Sequence, residues 1–212
     1  MGRHPKFTDD EVLDRAMRVL WRRGPAAVSV RDLEVALEMK APSIYRRFGS
    51  MDRLRLAVLD HYIDRVVAPR VAKILDGSGD PVTNITLFLE QSVTEGRDGG
   101  GLIGCLVTTA GIEHGGNGSP ELRSTLDQGR ARIEDGIARE VQRANDLGLL
   151  APHVNVESTV AVLTLSAQGL MAMARAGVES AELRSRARAT VAAIVGPDAE
   201  RGTTSPPKAE GV

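Results

Sequence analysis

Residues 40–47 read Lys-Ala-Pro-Ser-Ile-Tyr-Arg-Arg. They place one ammonium, two hydroxyls and two guanidinium groups within about two helical turns. Such groups hold phosphate and read base edges; they are not a set that makes or breaks bonds. Lysine and arginine supply a salt-dependent attraction to a polyanion. Ser43 and Tyr45 can offer hydroxyls to phosphate oxygens. Pro42 lacks an amide hydrogen where the first turn of a helix leaves one unbonded, so it pre-shapes a helix start. Ile44 and Phe48, four apart, give the segment an apolar side facing a core that holds Leu20, Val30 and Leu33. On spacing alone, Tyr45 fits either a phosphate-facing hydroxyl or a core aromatic with a wet tip.

Charge along the chain points the same way. The 212 residues carry a formal net charge of −1, unevenly distributed. Residues 1–55 hold 12 Lys/Arg against 8 Asp/Glu, and the remainder holds 15 against 20. A basic end on a near-neutral protein suits a polyanionic partner at that end, although a solvated basic face has the same composition. An architectural DNA-binding protein, basic throughout, is the weaker alternative.

Catalytic chemistry finds little support. There is no glycine-rich phosphate loop, no metal-ligand cluster and no Ser/Cys–His pair in reach. Cys105 and His114 are about two and a half turns apart on one helix. Glu113-His114 lacks a further ligand at helical spacing, and His4, His61 and His153 are scattered. The expectation is a non-enzyme with no metal and no cofactor. A single cysteine excludes an intrachain disulfide. There is no uninterrupted run of 18 apolar residues and no apolar N-terminal h-region, so a cytoplasmic protein without a membrane partner is expected.

The elements that must position residues 40–47 are helical. Apolar residues make up 42 % and aromatics only 3 %, which favours an aliphatic, alanine-rich, all-α fold. Thr8…Glu11 fits a capping box ahead of Val12, Ala16, Val19 and Leu20, and Gly24-Pro25 ends that helix. Ser29 caps a short second helix to about Leu37. A third runs from about Ala41 to Arg47, and Gly49-Ser50 hands over to a fourth reaching about Leu75. Asp80-Pro81 and Ser119-Pro120 start helices over 81–95 and 120–147. A further segment covers 102–114 after the glycine-rich loop 96–101. Asn155 caps a helix to Ala176, and Ser180 caps a last one to about Val195. That makes about nine helices and no strand pattern.

Three short helices with a tight second connection predict a helix-turn-helix, whose second helix enters the major groove. Residues 12–56, VLDRAMRVLWRRGPAAVSVRDLEVALEMKAPSIYRRFGSMDRLRL, resemble the DNA-binding region of the TetR family of transcriptional regulators. The resemblance rests on the Leu20–Gly24 helix end, Ser29-Val30-Arg31-Asp32-Leu33, Ala36, Lys40 to Tyr45, Phe48, Gly49-Ser50 and Leu54. It covers about a fifth of the chain. It implies a helix-turn-helix domain over 1–50, a helical ligand-binding and dimerisation domain over 51–196, and a disordered tail over 197–212. It further implies a homodimer on a palindromic double-stranded operator, usually repressing, and released when a small-molecule effector changes the spacing of the two heads. By position, Ser29 and Tyr45 would touch phosphate, and Lys40, Ala41, Pro42 and Ser43 would line the groove. Arg31, Arg46 and Arg47 would add charge, and Arg3 and Lys6 a basic arm. Two positions depart from the family pattern: Glu38 stands where the turn commonly has glycine, and Met51 where a phosphate-binding lysine often follows Gly-Ser.

In the second domain, the apolar stretch 156–174 and the last helix could form a four-helix dimer interface. The residues are Val160, Leu163, Ala167, Leu170, Leu183, Ala187, Val191 and Ile194; an intrachain core is the alternative. Phe88, Cys105, Thr108, Thr109, Gln168 and Met171 are the candidate pocket residues. Gly-Cys-Leu at 104–106 is similar to a branch of the family in which a cysteine can sense oxidants or electrophiles; Cys105 as a small packing residue is the other reading. The sequence does not name the effector.

Overall fold

The structure, a computed structural model, describes residues 7–93, 104–114 and 117–195. The predicted basic arm at Arg3 and Lys6, the glycine loop 96–101 and the tail 197–212 lie outside these residues. Nine helices are present among the described residues.

α1 (Asp9–Arg23) opens with the expected capping box: Thr8 Oγ1 accepts from Glu11 N–H, and Thr8 N–H donates to the Glu11 carboxylate at 2.8 Å. Acids in its first turn and Arg22 and Arg23 in its last oppose the helix dipole favourably. α2 (Val30–Leu37) has a matching box from Ser29 and Asp32. α3 (Ala41–Phe48) starts with Pro42 in its first turn and ends at Gly49, φ 84°. α4 spans 51–74 and is capped by Ser50. It is regular over Met51–Tyr62, widens to a π turn over Ile63–Val67, and is regular again over Ala68–Ile74. Pro69 lies two residues beyond the wide turn. It has no N–H for the carbonyl four residues back, and its ring would crowd that carbonyl in a regular helix.

α5 (Pro81–Gln91) and α7 (Pro120–Asp146) begin with proline after Asp80 and Ser119 caps, as read from sequence. α6 (Leu106–His114) is shorter than the 102–114 segment expected. α8 (Val156–Arg175) is capped by Asn155. α9 (Ser180–Ala192) corrects one expectation: Ser180 is its first residue, preceded by Glu179, and no side chain caps it. The only β pairing among the described residues is an isolated bridge between Leu150 and Val195.

One core runs through the molecule. Val12, Ala16 and Leu20 of α1, Leu33 and Leu37 of α2 and Ile44 of α3 join Leu54, Val58 and Leu59 of α4, then Phe88, Ile137, Leu163 and Leu183 beyond. Close approach of α4 to α7 depends on Gly136. A Cβ there would lie 2.9 Å from both Leu75 Cδ1 and Val71 Cγ1.

The eight residues expected at a dimer interface are all buried within the single chain: Val160, Leu163, Ala167, Leu170, Leu183, Ala187, Val191 and Ile194. Within the single chain they form core, the alternative the sequence left open. An α-helix that is apolar all round gives no sequence signal for which side faces its own chain. The outward side carries Ala161, Val162, Leu165 and Gly169, with Leu165 68 % exposed. By length and mean hydropathy (1.3), α8 also meets the composition of a membrane-crossing helix. Ser158, Thr159, Thr164, Ser166 and Gln168 interrupt its apolar run.

Candidate nucleic-acid interface

The connection between α2 and α3 turns on Glu38, at φ 51° and ψ 37°, the left-handed region that favours glycine. The strain suspected from sequence is therefore present. Its negative charge is turned away from α3: Arg15 Nη1 donates to Glu38 Oε1 at 3.0 Å. The chain extends at Lys40 (φ −83°, ψ 147°), and Ala41 N–H donates to Glu34 Oε1 at 2.7 Å. Glu34 thus caps α3 from α2 and fixes the angle between them. This contact has no sequence signature, because seven residues across a turn match no helical period.

The leading edge of α3 presents Lys40, Pro42, Tyr45 and Arg46 to solvent, with Ala41 and Ser43 half-buried between them. Tyr45 is 41 % exposed, whereas Ile44 behind it is 1 % exposed. The Tyr45 ring is therefore not a core aromatic. Arg46 Nη2 lies 3.4 Å from Ser43 Oγ and keeps to the same face. Arg31 is exposed on α2.

Two of the expected contact residues are engaged inside the head. Arg47 turns back onto the start of α1, donating to Asp9 and to Phe7 O at 3.1 Å. Ser29 commits both donors to its cap: Oγ to Asp32 Oδ2 at 2.6 Å and N–H to the same oxygen at 2.8 Å. These bonds, with Arg23 beside them, hold the Asp32 carboxyl down at about 2. At the other departure, Met51 packs partly buried against the core. Arg55 reaches Pro25 O, Val28 O and Asp52, bracing α4 against the α1–α2 connection. Arg53, next to it, is exposed.

The head is joined to the later helices at Trp21. Its indole N–H donates to Gly104 O at 2.9 Å, and its own carbonyl accepts from Arg175 Nη1 at 2.8 Å. Ala26 N–H donates to Glu113 Oε2 at 2.8 Å, and His61 Nε2 meets Asp14 Oδ1 at 2.7 Å. The Tyr62 ring stands edge-on to Trp21, with centroids 4.9 Å apart. Burial, with Cys105 beside it, pushes the Tyr62 phenol well above its usual range.

Among the six pocket candidates, Thr108, Gln168 and Met171 come together. They line a narrow slot between α6, α7 and α8 with Val107, Arg130, Ile133, Thr164 and Ala167. The other three lie elsewhere. Phe88 is buried in the core, Cys105 (3 % exposed) sits against Tyr62, and Thr109 donates its hydroxyl to Cys105 O at 2.9 Å. Thr164 was not foreseen. A larger, more open hollow between α4 and α7, edged by Asp60, Asp64, Arg132 and Asp135, contains none of the six. No His/Cys/Asp/Glu group among the described residues could hold a metal.

Comparison with known proteins agrees with this geometry. Residues 12–58 match the family model of bacterial regulatory proteins, tetR family, and residues 86–191 match that of the tetracyclin repressor-like C-terminal domain. The HTH-type transcriptional repressor ComR of Escherichia coli (strain K12) is 27 % identical over 194 residues, covering 90 % of each chain. The repressor BdcR of the same organism is 28 % identical over 142 residues, 65 % of this chain and 70 % of its own. A solved structure of a cysteine mutant of the TetR family regulator CifR with 26-bp operator DNA superposes with TM-score 0.74 at 26 % identity, covering 90 % of this chain and 99 % of that one. A regulator from Agrobacterium tumefaciens shares the fold at TM-score 0.76 and 17 % identity, covering 88 % of this chain and 97 % of its own. With both family models matched in order along one chain, this protein belongs to the TetR family of bacterial regulatory proteins.

Proposed function

We propose that the protein is a transcriptional repressor that binds a palindromic operator as a homodimer and leaves it when a small molecule enters the later helices. The observation that carries the reading is the edge of α3. Lys40, Pro42, Tyr45 and Arg46 face outward together, while the neighbouring Arg47, Ser29 and Glu38 are tied back into the head. In this reading Lys40, Ala41, Pro42 and Ser43 meet the groove, Tyr45, Arg31 and Arg46 meet phosphate or base edges, and Arg3 and Lys6 extend the contact. Residues 1–50 act as the DNA-reading unit and 51–196 as the effector and dimer unit. The relatives named as repressors, and the CifR neighbour solved on operator DNA, support this assignment.

The dimer pairs through the outward side of α8 around Val162 and Leu165, the exposed apolar surface of that helix. The protein acts by binding, with no catalytic step. Cys105 serves as packing: its thiol is buried against Tyr62, so Cys105→Ser leaves effector-driven release intact.

Operator selection with the full-length dimer, followed by footprinting at physiological salt, tests the reading. A discrete palindromic footprint that Lys40→Ala and Tyr45→Phe weaken is expected. Uniform, sequence-independent binding would overturn it in favour of an architectural role.

A further inference from the structure

The Thr164 hydroxyl is an exception within its own helix. Thr159 donates to Asn155 O at 2.7 Å, four residues back, the usual way a buried helical threonine satisfies itself. Thr164 is 8 % exposed, and its Oγ1 has no hydrogen-bond partner among the described residues. Buried hydroxyls are nearly always paired, so an orphan in a hollow points to a guest. Thr164 lines the slot between α6, α7 and α8. One turn further along α8 is Gln168, and across the slot Thr108 has, among the described residues, only the weak acceptor Met171 Sδ at 3.8 Å. The remaining walls, Val107, Ile133, Ala167 and Met171, are apolar.

We propose that this slot is the effector seat and that its guest is a compact, uncharged, largely apolar molecule bearing one hydroxyl or carbonyl oxygen; this rests on the ligand-responsive reading above. Three features set the guest's chemistry. Thr164, Thr108 and Gln168 can each donate or accept, which suits a single neutral oxygen. Among the described residues Arg130 is the one ionisable side chain lining the slot, and it is already paired with Asp127, so a charged guest would enter uncompensated. The slot has room for no more than about one water molecule, so the guest must be small and must widen it.

Widening acts on the DNA-reading head through one residue. Gly104 immediately precedes the α6 side of the slot, and Arg175 ends α8 on the other side; both hold Trp21. The two segments touch closely, since a Cβ at Gly104 would lie 2.5 Å from Met171 O. Thr164, Gln168, Met171 and Arg175 follow one another at steps of three or four, forming a single stripe of α8. Parting α6 from α8 therefore pulls on two hydrogen bonds to Trp21 at the end of α1.

Trp21 is the only tryptophan, so its emission reports on the junction. The test titrates the full-length dimer, without DNA, with cyclohexanol, cyclohexanone and cyclohexanecarboxylate, reading Trp21 emission and thermal midpoint. A saturable emission change and a raised midpoint are expected with the alcohol or the ketone, at an affinity at least tenfold tighter than for the carboxylate. Whichever of the two binds better identifies the preferred oxygen. Thr164→Val should weaken that binding at least tenfold and Thr164→Ser should retain it, with Thr190→Val, on α9, behaving as wild type. Saturable binding unchanged in Thr164→Val, equal binding of the carboxylate, or no saturable change with any probe would each overturn the proposal. Loss of operator binding by the wild-type protein would instead sink the repressor reading, and the slot measurement would stand independently.

Discussion

Arg15 and Glu38 form an ion pair at 3.0 Å that holds the carboxylate of a left-handed turn residue against α1. The pair neutralises an acid next to α3 without relieving its backbone. Both side chains are substantially exposed, so the pair contributes a few tenths of a kcal/mol. A non-glycine residue in this region costs about 1 kcal/mol. Glu38→Gly is expected to raise the thermal midpoint by about 2 °C, and Glu38→Ala, which keeps the strain and loses the pair, to lower it. Calorimetry of the DNA-free protein checks the order; a midpoint lowered by glycine would show that the turn carries no strain.

Lys40 and Tyr45 should separate by salt dependence. Lys40→Ala is expected to weaken operator binding and to reduce the slope of log affinity against log salt by about 1 per subunit. Tyr45→Phe removes only a neutral hydroxyl, so affinity should fall while the slope stays nearly constant. Anisotropy titrations across salt concentration distinguish the two. Identical slopes for wild type and Lys40→Ala would show that the Lys40 ammonium displaces no counterion on binding.

Asp32 predicts a pH dependence with a definite sign. Its carboxyl is held at about 2, below its ordinary 3.8, by Ser29 and Arg23. A group depressed by folding stabilises the fold above its unfolded value, and that stabilisation is lost as pH falls. Ser29→Ala should therefore be less stable than wild type at pH 6. The difference should narrow, without vanishing, as pH drops from about 4 towards about 2, because Ser29 Oγ also accepts the Asp32 amide. Urea unfolding at a series of pH values reads this out, and a difference constant down to pH 2 would contradict it.

The outward side of α8 can be tested by its glycine. A Cβ at Gly169 meets nothing within 4 Å in the single chain, and alanine favours a helix interior by about 0.5–1 kcal/mol. If α8 packs against a partner there, Gly169→Ala will nonetheless destabilise the dimer, and Leu165→Glu will yield monomer. Sedimentation analysis of both variants decides; a dimer unaffected by Leu165→Glu would place the interface on another surface.

What the sequence disclosed follows from local physics. Thr8 with Glu11, Ser29 with Asp32, and proline after Asp80 or Ser119 are cues spanning three residues, and each marks a real helix start. Tyr45 could be assigned to the surface only once Ile44 was seen to take the buried position beside it. Contacts between distant residues left no trace. Arg47 meets Asp9 across 38 positions and Trp21 meets Gly104 across 83, so neither is periodic. Which side of α8 packs inside its own chain was not legible, because that helix is apolar on both sides. Thr164 was missed because Thr109, Thr159 and Thr164 look alike until their hydroxyls are traced.

The wide turn at Ile63–Val67 gives the connecting helix a phase as well as a length. One extra residue in a turn offsets everything beyond it by about 100° relative to an unbroken helix. Leu54, Val58 and Tyr62 are aligned to one set of neighbours, and Val71 and Leu75 to the surface around Gly136. Excising Asp64 would make the helix more regular and would also rotate its second half out of that surface. The connector behaves like a keyed shaft, which can be lengthened only in steps that bring the key back to the same slot.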